Sequence, residues 1–269
     1  MPELEEENSY PFGERGKAMI HQEWKYAYGP FNSWKALAWR EELEAMSRGE
    51  TPTPVCVTID PTNRCNMNCG WCIMAELRQE HPVSLPDQIM KELPAFLAGW
   101  GVRSVCVGGG GEPFCHPKTA DLLYSLDEHG LKVGTITNGF AVHDRAAEAV
   151  IETCRWIGFS VDAATNETYS KIKGASPGAL DRVFANIYHI AEHRREEKRP
   201  QIGMKFCVHE SNYTEIYEFV RKAKFIGADD VHFRPVYIPY YVFPEKVIDG
   251  MMKQVAEARK DFEDEKFKV

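Results

Sequence analysis

Residues 55–72 read Val55-Cys-Val-Thr-Ile-Asp60, then Pro61-Thr-Asn-Arg-Cys65-Asn-Met-Asn-Cys69-Gly-Trp-Cys72. The first six are rich in β-branched side chains and alternate apolar with polar from Val57 onward, the pattern of a short strand with two unlike faces. Pro61 ends the strand. Three cysteines at CxxxCxxC spacing then crowd into the loop that follows it.

Outward from this stretch the same unit recurs six times. Strands Val55–Asp60, Ser104–Gly108, Lys132–Thr137, Trp156–Val161, Ile202–Cys207 and Val231–Val236 each lead through a loop into a helical segment. The helical segments lie near 86–100, 117–130, 143–154, 177–195, 212–226 and 244–260. Strict alternation implies parallel strands joined by right-handed crossovers, either an open doubly wound sheet or a partial barrel. The face pattern favours an α/β fold of the (β/α)6 partial TIM barrel kind. Val57, Ile59, Val105, Val107, Ile136, Phe159, Met204 and Phe206 would face outer helices. Thr58, Asp60, Thr135, Thr137, Ser160, Asp162, Lys205, His232 and Arg234 would line a lumen too polar for the packed interior of a closed barrel. In such folds ligands sit at the C-terminal ends of the strands, where the cysteine loop lies.

Three regions follow: a tail and helical extension over 1–50, the barrel over 51–245, and a C-terminal helix over 246–269, expected to stop short of a further domain. In the first, Trp24, Tyr28, Trp34, Leu37 and Ala38 recur at helical spacing around Gly29-Pro30 and predict two short amphipathic helices ending near Gly49. The 269 residues carry 32 Lys and Arg against 40 Asp and Glu, a net charge of −8. An acidic chain without a basic run argues against nucleic acid as its main partner. No apolar run approaches the ~18 residues of a membrane span. Met1 to Asn8 is acidic and unlike an export signal, so a reducing, cytoplasmic setting without disulfides is expected.

Five of the eight cysteines are scattered singly, and most read as small core residues. Cys65, Cys69 and Cys72 need another account. A structural zinc site wants four ligands, commonly as paired CxxC units, and no second pair exists. Three thiolates leave one iron of a cubane cluster without a protein ligand, open to a small molecule. The alternatives are a chance grouping and a zinc site completed by a distant histidine such as His81. The second strand ends in Gly108-Gly-Gly-Gly111-Glu112-Pro113. It lacks the GK[ST] of a phosphate loop, and Glu112 would repel phosphate. An acidic side chain among close-approach glycines suits a cationic amine.

Together, Pro61 to Cys72 and the Gly110-Gly111-Glu112-Pro113 segment resemble the radical S-adenosylmethionine (SAM) superfamily, over about residues 55–240. The resemblance implies a 4Fe-4S cluster on Cys65, Cys69 and Cys72, with SAM on the open iron. It implies that Gly110, Gly111 and Glu112 hold the SAM amine. Thr137 and Ser160, in the strand ends Thr137-Asn138-Gly139 and Ser160-Val-Asp162, would contact its ribose or carboxylate, which brings Asn138 and Asp162 into the site. Val236 would offer backbone groups to the adenine, and Trp71 either lies near that ring or simply packs. Lys173-Gly174 stands where many relatives have Arg-Gly, a departure that puts a carboxylate contact there in question.

The implied activity is reductive cleavage of SAM to a 5′-deoxyadenosyl radical, which takes hydrogen from a polar small molecule such as a sugar, nucleoside or amino-acid derivative. The electron would come from an external reductant such as flavodoxin or ferredoxin. Two alternatives stand beside it. One is a peptide-modifying enzyme whose C-terminal auxiliary-cluster domain is not in this chain, which has no cysteine after Cys207. The other is a non-catalytic iron–sulfur electron carrier. Asp60, Asp162, Lys205, His232 and Arg234 either bind a charged metabolite or pair with one another. Cys115, three residues after Glu112, is a candidate hydrogen-atom donor to a substrate radical; Cys207 competes for that role, and Cys115 also reads as packing under the next helix.

Overall fold

The structure, a computed structural model, describes residues 38–195, 199–238 and 241–269. The chain divides into two compact units, Met1–Thr53 and Pro54–Val269. In the first, one helix is described, Arg40–Ser47 (α1), with Glu41 and Glu42 in its first turn. The chain leaves it through Gly49 at φ 78°, a left-handed conformation that glycine adopts without strain. The expected helix around Trp24 and Tyr28 lies outside the described residues.

The second unit is built on six parallel strands in sequential order: Cys56–Ile59 (β1), Ser104–Val107 (β2), Lys132–Thr137 (β3), Cys154–Ser160 (β4), Gln201–Val208 (β5) and Asp230–Pro235 (β6). Between them run Ala75–Glu80 (α2), Asp87–Trp100 (α3), Thr119–Glu128 (α4), Arg145–Thr153 (α5), Asn166–Lys173 (α6), Ala179–His193 (α7) and Ile216–Phe225 (α8), and Glu245–Phe262 (α9) follows β6. This is an open, six-stranded α/β partial barrel. Past α9 the chain returns to the β6 edge, where Val231 donates its amide to the Lys268 carbonyl at 2.8 Å. Helix α2 has no counterpart in the sequence reading, because six residues between loops are too few to show an apolar period.

In-register parallel partners point to the same side of a sheet, so the pairing assigns the faces. Val57 pairs with Val105, and Ile59 with Val107. Val107 pairs with Thr135, and Thr135 with Ile157. The row continues from Ile157 to Ile202, and the next from Phe159 to Met204. This corrects the reading of β3: Thr135 and Thr137 lie on the outer, helix-covered face, and Ile136 is inside. Threonine is tolerated in the apolar layer because its hydroxyl finds an acceptor there. Thr135 donates to the Val107 carbonyl at 2.8 Å, and Thr137 to Glu112 Oε1 at 2.6 Å.

The core lies between the outer face and the helices. Along β5, buried Ile202, Met204, Phe206 and Val208 alternate with half-buried Gly203, Lys205 and Cys207. The Phe206 ring meets Phe219 of α8 edge-on at 4.9 Å and Phe233 of β6 at 5.7 Å, spacings at which aromatic pairs attract. The inner face is different. Gly134, Gly158 and Gly203 give up their side-chain volume to a neighbour on an adjoining strand. A Cβ at Gly134 would sit 2.1 Å from the Trp156 ring, one at Gly158 3.0 Å from Lys205 Cε, and one at Gly203 2.8 Å from Asp230 Oδ1.

Replacing Phe206 with alanine removes a fully buried ring that touches two elements, and should lower unfolding free energy by about 3–5 kcal/mol. Urea denaturation measures it; a loss under about 1 kcal/mol would contradict this packing.

Candidate active site

The C-terminal ends of β1, β2 and β3 converge with the end of α6. The cysteine loop, residues 61–72, is held there from both sides. On one side Thr62 donates its hydroxyl to the Val83 carbonyl at 2.9 Å, and the Leu85 amide reaches the Pro61 carbonyl at 2.8 Å. The Glu112 amide donates to the Arg64 carbonyl at 2.8 Å. A Cβ on Gly111 would fall 2.4 Å from that carbonyl oxygen, so only glycine lets the two loops touch. On the other side the loop amides of Asn68 and Gly70 donate to the carbonyls of Lys173 and Ile172, at 2.7 and 3.0 Å. Those carbonyls are the unsatisfied acceptors at the end of α6. Arg78 of α2 donates to the Met67 carbonyl at 3.0 Å.

Helix α6 is anchored at its other end. Thr165 accepts from the Thr168 amide at 3.3 Å, as an N-cap does. Glu215, some fifty residues later in the chain, accepts from the amides of Ala164 and Thr165 at 2.6 and 3.1 Å and from the Thr165 hydroxyl at 2.6 Å. No sequence signal marked Glu215, because the contact is purely tertiary.

All three loop cysteines are partly exposed. Burial pushes the Cys65 and Cys69 thiols above their ordinary range, and the neighbouring Cys72 adds to it. A bound cation would reverse this, since coordination deprotonates a thiol outright. Among the described residues no three His, Cys, Asp or Glu side chains converge closely enough for one metal ion. A single zinc needs its sulfurs about 2.3 Å from a common centre, whereas a cubane presents a separate iron to each thiolate. Three thiolates on one loop are the donor number that a cubane with one open iron takes.

The side chains named from the sequence divide into two groups. Glu112 is at the mouth but only 2 % exposed. Its carboxylate accepts from the Thr137 hydroxyl, from the Asn138 amide at 2.7 Å and from the Phe114 amide at 3.3 Å. Burial outweighs those three donors and raises its pKa to about 7. Thr137 is thus engaged with Glu112. Asn138 donates through Nδ2 to Asn66 Oδ1 at 2.6 Å, with Cys65 Sγ at 3.9 Å, so it touches the cysteine loop directly. The Gly110 amide donates to Asp60 at 3.0 Å. Asp162 is buried at φ 68°, pairs with Lys173 and accepts from the Cys207 amide at 2.6 Å. Burial lowers the Lys173 pKa, but the Asp162 carboxylate overrides it and holds the ammonium above its usual value. Lys173 is therefore committed within the protein.

Ser160 is half-buried in the inner row with Lys205. Trp71 packs on the core and lies 5.6 Å from the His209 ring. The Val236 amide is spent on the Val208 carbonyl at 2.9 Å. Cys115, in the 3-10 turn Pro113–Cys115, has the Asn66 backbone amide as a hydrogen-bond partner, and burial pushes its thiol up to about 11. Cys207, by its pairing with Arg234, is on the inner face, also with its thiol pushed up to about 11 by burial.

Fold, loop and spacing converge with what known proteins show. Residues 59–223 match the Radical SAM superfamily, and the chain belongs to this superfamily of enzymes. It is 25% identical over 192 residues to the antilisterial bacteriocin subtilosin biosynthesis protein AlbA of Bacillus subtilis, covering 70% of this chain and 41% of AlbA. It is 30% identical over 202 residues to a probable GTP 3′,8-cyclase of Methanosarcina mazei, covering 72% of this chain and 59% of the cyclase. The chain thus spans about half the length of these relatives. The fold matches the crystal structure of Streptococcus suis SuiB with a TM-score of 0.66 at 16% identity, over 94% of this chain and 59% of SuiB.

Two outcomes test this geometry. Lys173→Met leaves Asp162 as a buried, unpaired charge and should cost about 3–5 kcal/mol of unfolding free energy, measured by urea titration. Glu112 holds its proton more tightly folded, at about 7, than unfolded, at 4.5, so its contribution is complete below the unfolded value and is lost as pH rises through the folded one. The stability of the cluster-free wild type minus that of Glu112→Ala should fall by up to about 1.4 kcal/mol per pH unit across that window. A flat difference would mean the carboxyl is solvated.

Proposed function

We propose that Cys65, Cys69 and Cys72 hold one 4Fe-4S cluster, and that SAM binds beside it at the mouth of the barrel. The carrying observation is a loop of three partly exposed thiols, braced on both flanks and pressed against the glycine–Glu112 turn. When bound, cluster and SAM supply a one-electron cleavage of a carbon–sulfur bond that yields a 5′-deoxyadenosyl radical able to take hydrogen from a substrate. The protein's part is to bind, orient and exclude water. The close contact of Gly111 with Arg64 aligns the amine-binding turn, Gly110 to Glu112, with the cysteine loop. Asn138 supports both, through its amide to Glu112 and its side chain to Asn66. Thr137 and Asp162 serve this site by holding Glu112 and Lys173, while Ser160 faces inward, where SAM and substrate would meet. Trp71 is assigned to the adenine, and so is Val236 through its carbonyl, since its amide is engaged by Val208.

The substrate proposed is a polar small molecule in the lumen, since Ser160, Lys205, His232 and Arg234 face it. Of the two thiols considered as hydrogen-atom donors, Cys207 shares this face, while Cys115 is turned to the Asn66 amide; both keep their hydrogen at neutral pH. A peptide substrate is the second reading, favoured by the fold's likeness to SuiB, which has been solved with its precursor peptide SuiA. The electron is assigned to an external donor of the flavodoxin or ferredoxin kind, and the setting to the cytoplasm. No helix among the described residues is long and apolar enough to cross a membrane.

Anaerobic reconstitution should give a brown protein with about four irons and matching sulfide. Each of Cys65→Ala, Cys69→Ala and Cys72→Ala should lose the colour and the reductant-dependent release of 5′-deoxyadenosine from SAM. Full iron content in any of the three would remove that cysteine from the ligand set.

A further inference from the structure

We infer that Lys205, His232 and Arg234, on the inner face of β5 and β6, form a subsite for an anionic group of the substrate, a carboxylate or a phosphate. The inference deepens the proposed reading by assigning chemistry to its substrate. The register brings the three together: Ser160 pairs with Lys205, Lys205 with His232, and Cys207 with Arg234. All of them point inward, because Met204, Phe206 and Val208 between them are buried in the core.

Asp230, lying over Gly203 on the same face, offsets part of the Lys205 charge. The side chains of Lys205 and Arg234 have no hydrogen-bond or ion-pair partner among the described residues. Each carboxylate near them has another engagement. Asp60 accepts from the Gly110 amide, Asp162 is taken by Lys173 and the Cys207 amide, and Asp230 accepts from Gln201 at 3.0 Å. Burial and the Arg234 charge depress the Lys205 pKa, and burial with both cations depresses that of His232. An anion between them would relieve this repulsion. Gly158 makes the arrangement possible, since Lys205 Nζ lies 3.3 Å and the Trp156 ring 3.5 Å from where its Cβ would be. The ammonium is held beside a flat apolar wall, itself 36% exposed, against which the body of a small molecule can lie.

The test is calorimetric titration of the reconstituted full chain, with SAM present, using inorganic phosphate, pyrophosphate and succinate as probes. One equivalent of a phosphate probe or of succinate should bind, and which of them binds tells a phosphate from a carboxylate. Lys205→Gln and Arg234→Gln should each weaken that binding about ten- to hundredfold, the loss expected for one charge-assisted hydrogen bond. Lys205→Arg, which keeps the charge, should stay within about threefold of wild type, and circular dichroism confirms that each variant is folded. The inference is overturned if no probe binds the wild type, if the Gln variants bind as the wild type does, or if SAM abolishes binding, since SAM's own carboxylate would then occupy the cations. Cys69→Ala separates the two readings: it should lose the cluster and keep the anion binding.

Discussion

The buried carboxylate of Asp162 ties together three elements at the working end of the sheet. One oxygen pairs with Lys173 at the end of α6, the other takes the Cys207 amide of β5, and the residue itself lies two positions past the end of β4. The φ of 68° is the cost of turning the side chain back under the mouth. Because the last carbonyls of α6 carry the amides of Asn68 and Gly70, the ion pair that locates this helix also locates the cysteine loop. A charge pair with almost no access to water gains little over an apolar pair of equal size, but it is intolerant of loss or displacement. Here that intolerance sets the position of a loop that has no regular structure of its own.

Glu112 does related work on the opposite flank with a different balance. It has donors but no cation within bonding distance, so burial dominates and the carboxyl sits near neutrality in its proton affinity. A group in that state is sensitive to any charge placed nearby, and a cationic amine at the mouth would draw it toward ionisation. The two flanks thus differ: one is locked by a compensated pair, the other is electrostatically soft and lies where a ligand amine is expected.

The two faces of the sheet follow opposite packing rules. Outside, branched and aromatic side chains close against helices. Inside, glycines on β3, β4 and β5 let Trp156, Lys205 and Asp230 lie flat across neighbouring strands. A closed eight-stranded barrel would fill this space with branched apolar groups. In the open six-stranded one, long side chains lie over glycines instead. The outer pattern depends only on apolar character, which explains how the fold persists at 16% identity to SuiB.

Much of this was written in the order of the residues. Local alternation and the strand–helix rhythm determined the six strands to within two residues at either end, because each depends on near neighbours. The spacing of Cys65, Cys69 and Cys72 kept the three thiols together, since a short loop cannot take its cysteines far apart. The faces of β3 were misread because a threonine looks polar in isolation; only the acceptors at Val107 and Glu112, 28 and 25 residues away, make its hydroxyl fit an apolar layer. Glu215, Lys173 and Asp162 were likewise invisible as a brace, since their partners come together only when β4, α6 and β5 are assembled. Composition and spacing are local properties and can be read along the chain. The neutralisation of a buried charge depends on what the fold brings beside it, and that was decided by the tertiary structure alone.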